Sequence, residues 1–245
     1  MFKIMKQTVA GIALLAMTSL SQAESEVSYS ANLGFMSDYM YRGIHQSSSS
    51  AMGGFDIEYG SFYVGTWFAD LQEGGWEASG DDSHRGFEYD VYAGFGFDLT
   101  DSISASVGYT IYRYTDKGAS AFDDDYDEVN LGLGFAISED ASIAIDYAVG
   151  ENTATDQSET DYDVLTIAVD YLGMYALFGT WGVSEDDTSA GEVDADWMEF
   201  GYSRTVGDFD LSGAFVLSEK ELASGSDGDE DGDFSRFIMS ISTGF

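Results

Sequence analysis

The chain contains no cysteine and no proline among its 245 residues. At an average usage near 5%, a chain of this length would carry about 12 prolines. The missing cysteine excludes a disulfide framework, a thiolate zinc or iron–sulfur site, a thiol nucleophile and a lipid-anchored N-terminal cysteine. Basic residues are also scarce, 9 against 45 acidic ones for a formal net charge of −36. A nucleic-acid partner needs a basic surface, so that class is excluded too. Past residue 23 no stretch reaches the 18 apolar residues that signal a spanning helix, so any membrane crossing must be made by strands. What is present argues for a folded chain. Hydrophobic residues at 44% and aromatic residues at 15% exceed what an acidic disordered chain carries, and 29 glycines argue against a mainly helical fold.

The first residues read as an export signal. Lys3 and Lys6 give a positive start, Val9 to Met17 is an apolar run of h-region length, and Ser21-Gln22-Ala23 is a small-x-small cleavage site. Cleavage after Ala23 leaves a mature segment 24–245 that has lost both lysines, with a net charge near −38.

Periodicity then sets the fold class. Phe87, Tyr89, Val91, Ala93, Phe95, Phe97 and Leu99 occupy successive odd positions, with polar residues and glycine between most of them. That period of two is the mark of a strand. It returns in Ile103–Ile111, Val129–Ile137, Ile143–Val149 and Leu165–Tyr171. It continues through Tyr175–Val183, Met198–Tyr202, Phe209–Leu217 and Phe237–Phe245, after an opening run Val27–Phe35 and weaker runs at Phe55–Tyr59 and Phe62–Phe68. The sum is twelve strands, an even number as single-chain bacterial outer-membrane barrels have. Ser104, Ser106, Gly108, Gly132, Gly134, Ser212 and Ala214 keep the even face small, while the odd face is nearly free of charge and fits lipid.

Connection lengths point the same way. Short links at Gly60-Ser61, Thr100–Ser102, Ser138–Ser142, Leu172–Met174 and Val206–Asp208 alternate with long ones. The long links fall near Ile44–Ser50, Leu71–His84, Thr115–Asp125, Glu151–Asp161, Ser184–Asp196 and Ser218–Asp233. Short periplasmic turns and long extracellular loops produce such a sorting; a soluble sandwich does not require it. Of the 45 acids, 29 fall in five segments around the last five long links.

The last strand ends on Phe245 with apolar residues at alternate positions before it, which resembles the C-terminal signature of outer-membrane proteins. A more specific likeness lies near the other end. Ser37-Asp38-Tyr39-Met40-Tyr41-Arg42-Gly43-Ile44-His45-Gln46-Ser47, then Gly53-Gly54-Phe55-Asp56, then Tyr63-Val64-Gly65-Thr66-Trp67 and Glu88-Tyr89-Asp90 follow in order. This set resembles the TorF-like porin family, also called the Gcw_chp family, over about residues 29–99, with only the architecture shared beyond. The resemblance implies an outer-membrane barrel proposed to act as a pore, and it brings no substrate, cofactor or catalytic residue.

Chemistry-bearing groups are few. His45 and His84 are the two histidines, both expected in outer loops, and no G-x-S-x-G nucleophile motif accompanies them. Asp227–Asp233 has the opening spacing of a calcium loop, but Ile238 stands where a bidentate glutamate belongs. No catalytic, cofactor or metal residue is therefore expected. Arg42 and Arg236 are more informative, because the alternation turns both inward at the loop end of neighbouring strands, one and twelve. Inward acids Glu88 and Asp90 would face them across the mouth, and opposed rows of charge set ion preference in a pore. Arg85, Arg113 and Arg204 have the lipid-face parity near strand ends, within reach of anionic headgroups. The expected partners are outer-membrane lipid and lipopolysaccharide, and small solutes or cations. A closed structural or surface-interaction barrel with acidic cation-binding loops is the alternative, favoured if the inward face turns out bulky.

Overall fold

The computed structural model describes residues 27–72, 85–115, 125–152, 160–183, 193–222 and 232–245. Twelve antiparallel strands form one closed barrel: β1 (Val27–Tyr41), β2 (Ile44–Tyr59), β3 (Phe62–Gln72), β4 (Arg85–Thr100), β5 (Ile103–Tyr114), β6 (Tyr126–Ala136), β7 (Ala141–Asn152), β8 (Thr160–Tyr171), β9 (Met174–Val183), β10 (Val193–Val206), β11 (Phe209–Ser218) and β12 (Phe234–Gly244). Each strand pairs with its sequence neighbours, and β1 closes on β12 through pairs such as Asn32↔Gly244 and Phe35↔Ile241. Closure matters because a lipid-facing edge would leave backbone groups unsatisfied. Strand lengths of 10 to 16 residues meet or exceed the roughly 9–11 needed to cross a bilayer at a tilt. The first and last strands meet on the turn side, where Ala31 and Phe245 exchange backbone hydrogen bonds. The segment 1–23 read as an export signal, His84 and most of the long acidic links lie outside the described residues.

The barrel wears its apolar face outward. Tyr29, Phe35, Phe95, Val107, Leu131, Val169, Phe200 and Phe237 are each about half exposed. So continuous a band is too apolar for water and suits hydrocarbon. Arg113 sits near the loop-end rim of this outer face, held by Asp127 at 2.8 Å and Asp125 at 3.8 Å. Arg204 is exposed, and the side chain of Arg85 lies outside the described set.

Three expectations need correction. The first outer link is not long: β1 and β2 are joined by the two-residue turn Arg42-Gly43, and Ile44–Ser50 belongs to β2. The alternation of long and short links therefore begins only after β3. Both turn residues have positive φ, 49° and 83°, the backbone of a tight primed turn whose twist matches its strands. The single odd-out parity also fails. In β9 the odd set is the one expected outward, but Leu177 and Trp181 are buried inside while Met174 is exposed; in β10 the outward set is Met198, Phe200 and Tyr202, as the run expected there has it. Finally, the small inward face extends through only part of the barrel. Aromatic residues fill the loop end.

Candidate functional site

Pairing between β1 and β12 stops at Met36↔Ser240, and pairing between β2 and β3 starts only at Met52↔Ala69. Residues 37–51 are thus a hairpin arm with no ladder to β12 or β3, paired within itself and, at its root, through Ser50 and Ala51 to Met36 and Phe35. Its roots are irregular. Ser49 has a φ of 60°, Gln46 is an extra residue in the ladder, and the β12 backbone at Met239 donates to the Ser37 side chain instead of to backbone. Ser50 Oγ donates to Asp70 O at 2.6 Å and ties the second root to β3.

The arm's tip lies across the lumen. Its contacts are with strands that are not its neighbours in the sheet. The Tyr41 hydroxyl donates to the Tyr112 hydroxyl of β5 at 2.8 Å. The Arg42 guanidinium forms a two-pronged ion pair with Glu128 of β6, at 2.5 and 3.0 Å. The Trp181 indole of β9 donates to the Arg42 carbonyl at 2.9 Å, and Ser218 Oγ of β11 donates to the Gly43 carbonyl at 2.7 Å. Arg42 Cζ also stands 4.9 Å from the Tyr41 ring centre and 5.7 Å from that of Trp181, within range of a cation–π attraction. A Cβ added to Gly43 would strike Trp197 of β10 and come within 2.9 Å of Leu222. Glycine is therefore required there twice over, by its φ and by this close approach.

Around the tip, side chains from opposite walls form one buried cluster that includes Tyr39, Tyr41, Tyr112, Tyr126, Trp181, Trp197 and Ile238. Tyr112 and Tyr126 stack at 4.5 Å and 18°. Glu128, fully buried, receives further hydrogen bonds from Tyr162 at 2.9 Å, Asn130 at 3.0 Å and Tyr112 at 3.2 Å. Charge-assisted bonds of this kind are roughly twice as strong as neutral ones.

Of the residues expected at the mouth, Glu88 and Asp90 do line the inside of β4, 1% and 5% exposed, with Tyr114 donating to Glu88 at 3.2 Å. Arg236 lies on the inward parity of β12, four residues loopward of Ser240. Arg42 reaches the lumen through the turn and not through strand parity, and its carboxylate is Glu128 of β6. Sequence reading missed Glu128 among the acids of an outer link, and placed Trp181 on the lipid face. A signal for the filled mouth did exist. Tyr112, Tyr114, Tyr126 and Tyr162 all fall on even positions at the loop ends of β5, β6 and β8, where a wide pore would call for small residues.

Toward the turn end the inward positions are smaller and polar. Gly34, Gly94, Gly108, Gly132, Ser106 and Ser242 line this part, with Ser212 hydrogen-bonded to Ser240 at 2.6 Å. Two tyrosines close over carboxylates there, Tyr92 on Asp56 at 2.5 Å and Tyr175 on Glu199. His45 sits in the arm, its Nε2 3.7 Å from Asp38 Oδ1. Among the described residues no group of three or more histidine or acidic side chains is arranged to hold a metal ion.

A closed twelve-stranded barrel with an apolar outer face, a small polar turn end and a filled loop end has the architecture of an outer-membrane barrel. Its fold is that of the KdgM porin, with a TM-score of 0.54 at 9% identity over 88% of this chain and 99% of that one. It is equally that of the NanC porin, with a TM-score of 0.55 at 11% identity and the same coverage. The family model described as "Bacterial protein of unknown function (Gcw_chp)" matches residues 20–245, and the chain belongs to this family. The match extends well past the segment 29–99 on which the motifs lie. No curated protein matches the sequence.

Proposed function

We propose that the protein is an outer-membrane channel for passive diffusion of small hydrophilic solutes, with cations preferred over anions. It is exported by a signal removed after Ala23 and is not an enzyme. The observation that carries this reading is the inward face of a closed twelve-stranded barrel, small and polar toward the turns and bearing the carboxylates Glu88 and Asp90 on β4. The likeness to the TorF-like porins supports it, as does the shared fold with the KdgM and NanC porins. One fold neighbour, the KdgM porin, was solved in complex with disordered oligogalacturonate.

Cation preference follows from charge. The tip's one arginine is matched by Glu128, which leaves Glu88 and Asp90, buried while the tip is seated, as the acids that meet the ion path when the loop end opens. A wall of one sign bounded by low dielectric concentrates ions of the other sign. Arg236 opposes this locally. The filled loop end favours a second reading, a closed barrel whose outer surface meets lipopolysaccharide and divalent cations.

Recording in planar bilayers separates the two. The refolded protein should show discrete conductance steps and a reversal potential, in a salt gradient, displaced toward the cation equilibrium value. Glu88→Gln with Asp90→Asn should reduce that displacement, and Arg236→Ala should increase it. Anion selectivity in the parent protein overturns the cation reading. Absence of any step, in the parent and in variants that free the loop end, overturns the channel reading in favour of the closed barrel.

A further inference from the structure

We propose that the β1–β2 hairpin tip is a built-in plug of the channel, and that the Arg42–Glu128 ion pair is the latch that holds it shut. The inference rests on the channel reading above.

Three observations converge on it. First, residues 37–51 lack the backbone pairing to β12 and β3 that fixes the rest of their strands, so the arm beyond its root pairs Met36↔Ser50 and Phe35↔Ala51 can swing without breaking the barrel's ladder. Second, the tip is seated across the lumen by polar contacts, Arg42 to Glu128, Tyr41 to Tyr112, Trp181 to the Arg42 carbonyl and Ser218 to the Gly43 carbonyl, together with its packing in the aromatic cluster. Third, Arg42 occupies a left-handed backbone conformation that a non-glycine residue adopts only at a cost. Its side chain must repay that cost, and the place where it does so is the far wall. A tip that merely finished a hairpin would carry asparagine or glycine at this position, as primed turns prefer. Here an arginine has been placed where it can cross the barrel axis.

The latch predicts a charge-swap pattern. Arg42→Glu alone sets two carboxylates against each other, and Glu128→Arg alone sets two guanidinium groups; each should expel the tip. Arg42→Glu with Glu128→Arg restores opposite charges and should reseat it. The readouts are the open probability and conductance of the full-length mature protein in planar bilayers, and tryptophan emission. Trp67, Trp181 and Trp197 are three of the four tryptophans in the chain, and all three pack against the arm. Each single swap should raise mean current at least fivefold and shift emission to the red, and the double swap should return both toward the parent. Glu128→Gln, nearly isosteric, serves if a reversed charge prevents folding, and should give a smaller change of the same sign.

Equal conductance in parent, single swaps and double swap overturns the plug while leaving the channel intact. A red shift in the single swaps with no current in any of the proteins overturns the channel reading and, with it, the plug. Raised current in the single swaps that the double swap fails to lower overturns the latch.

Discussion

Replacing Arg42 tests the energetics of the seated tip without recourse to current. Arg42→Ala removes both guanidinium hydrogen bonds and leaves the Glu128 carboxylate with no counter-charge, in a site where its side chain is fully buried. Removing one partner of a buried pair costs about 3–5 kcal/mol. The Arg42 side chain is 14% exposed, and Tyr162, Asn130 and Tyr112 still hydrogen-bond the carboxylate, so the low end applies, about 3 kcal/mol. Backbone strain divides alanine from glycine. At a φ of 49° alanine keeps a penalty of about 1 kcal/mol that glycine avoids. Arg42→Gly should therefore lose about 2 kcal/mol where Arg42→Ala loses about 3. The loss falls on docking of the arm, because residues 37–51 share no backbone ladder with β12 or β3. In urea titrations of the folded protein in detergent micelles, tryptophan emission should move to lower urea in both variants. The far-UV circular dichroism transition of the barrel should stay near its parental midpoint. Two outcomes would refute the reasoning. A glycine variant no better than the alanine one removes the strain argument, and coincident shifts of both probes mean the arm is part of the barrel's cooperative unit.

Two further expectations follow from packing. Leu131→Arg places a charge on the lipid face midway along β6, and should cost about 2–4 kcal/mol when refolding is followed into phosphatidylcholine vesicles. Gly179→Ala adds a methyl group that collides with the Trp197 indole on the neighbouring strand; overpacking of this kind costs about 1–3 kcal/mol, and a red shift in emission should report the displaced ring.

The barrel could be read from the sequence because its rules are local. A strand that crosses a bilayer must alternate, a closed sheet needs an even number of such strands, and turns on one side can be short. Runs such as Phe87–Leu99 and Val129–Phe135 state all of this within a dozen residues, and the register β5–β6 pairs Val107 with Leu131 on one shared outward face. Where an element is apolar on both faces the method loses its reference. β9 carries Tyr175, Leu177 and Trp181 on one face and Met174 and Phe178 on the other. Alternation alone cannot say which set meets lipid, and the choice of the odd set put Trp181 on the wrong side.

The mouth was hidden for a different reason. Parity arguments assume that a strand stays in the sheet, and the end of β1 leaves it. Once Ser37 accepts the Met239 backbone donor and the ladder to β12 ends, odd and even no longer map to outside and inside. Tyr39 and Tyr41 then both bury, although they share the odd parity of exposed Leu33 and Phe35. Arg42 was expected inward and is found inward, but by way of a turn that the serine-rich run Ser47–Ser50 disguised as a loop. Its partner lies 86 residues away on the opposite wall. No local pattern encodes such a pairing; only closure of the barrel brings β6 to face the tip. One trace of it was available in the composition. A pore lined with small residues has no use for four tyrosines on the inward face at its loop ends, and a hairpin tip that must be held there by packing does. The bulky half of the inward face and the arginine in a glycine-type turn are thus two signs of one feature, an arm built to sit inside the barrel.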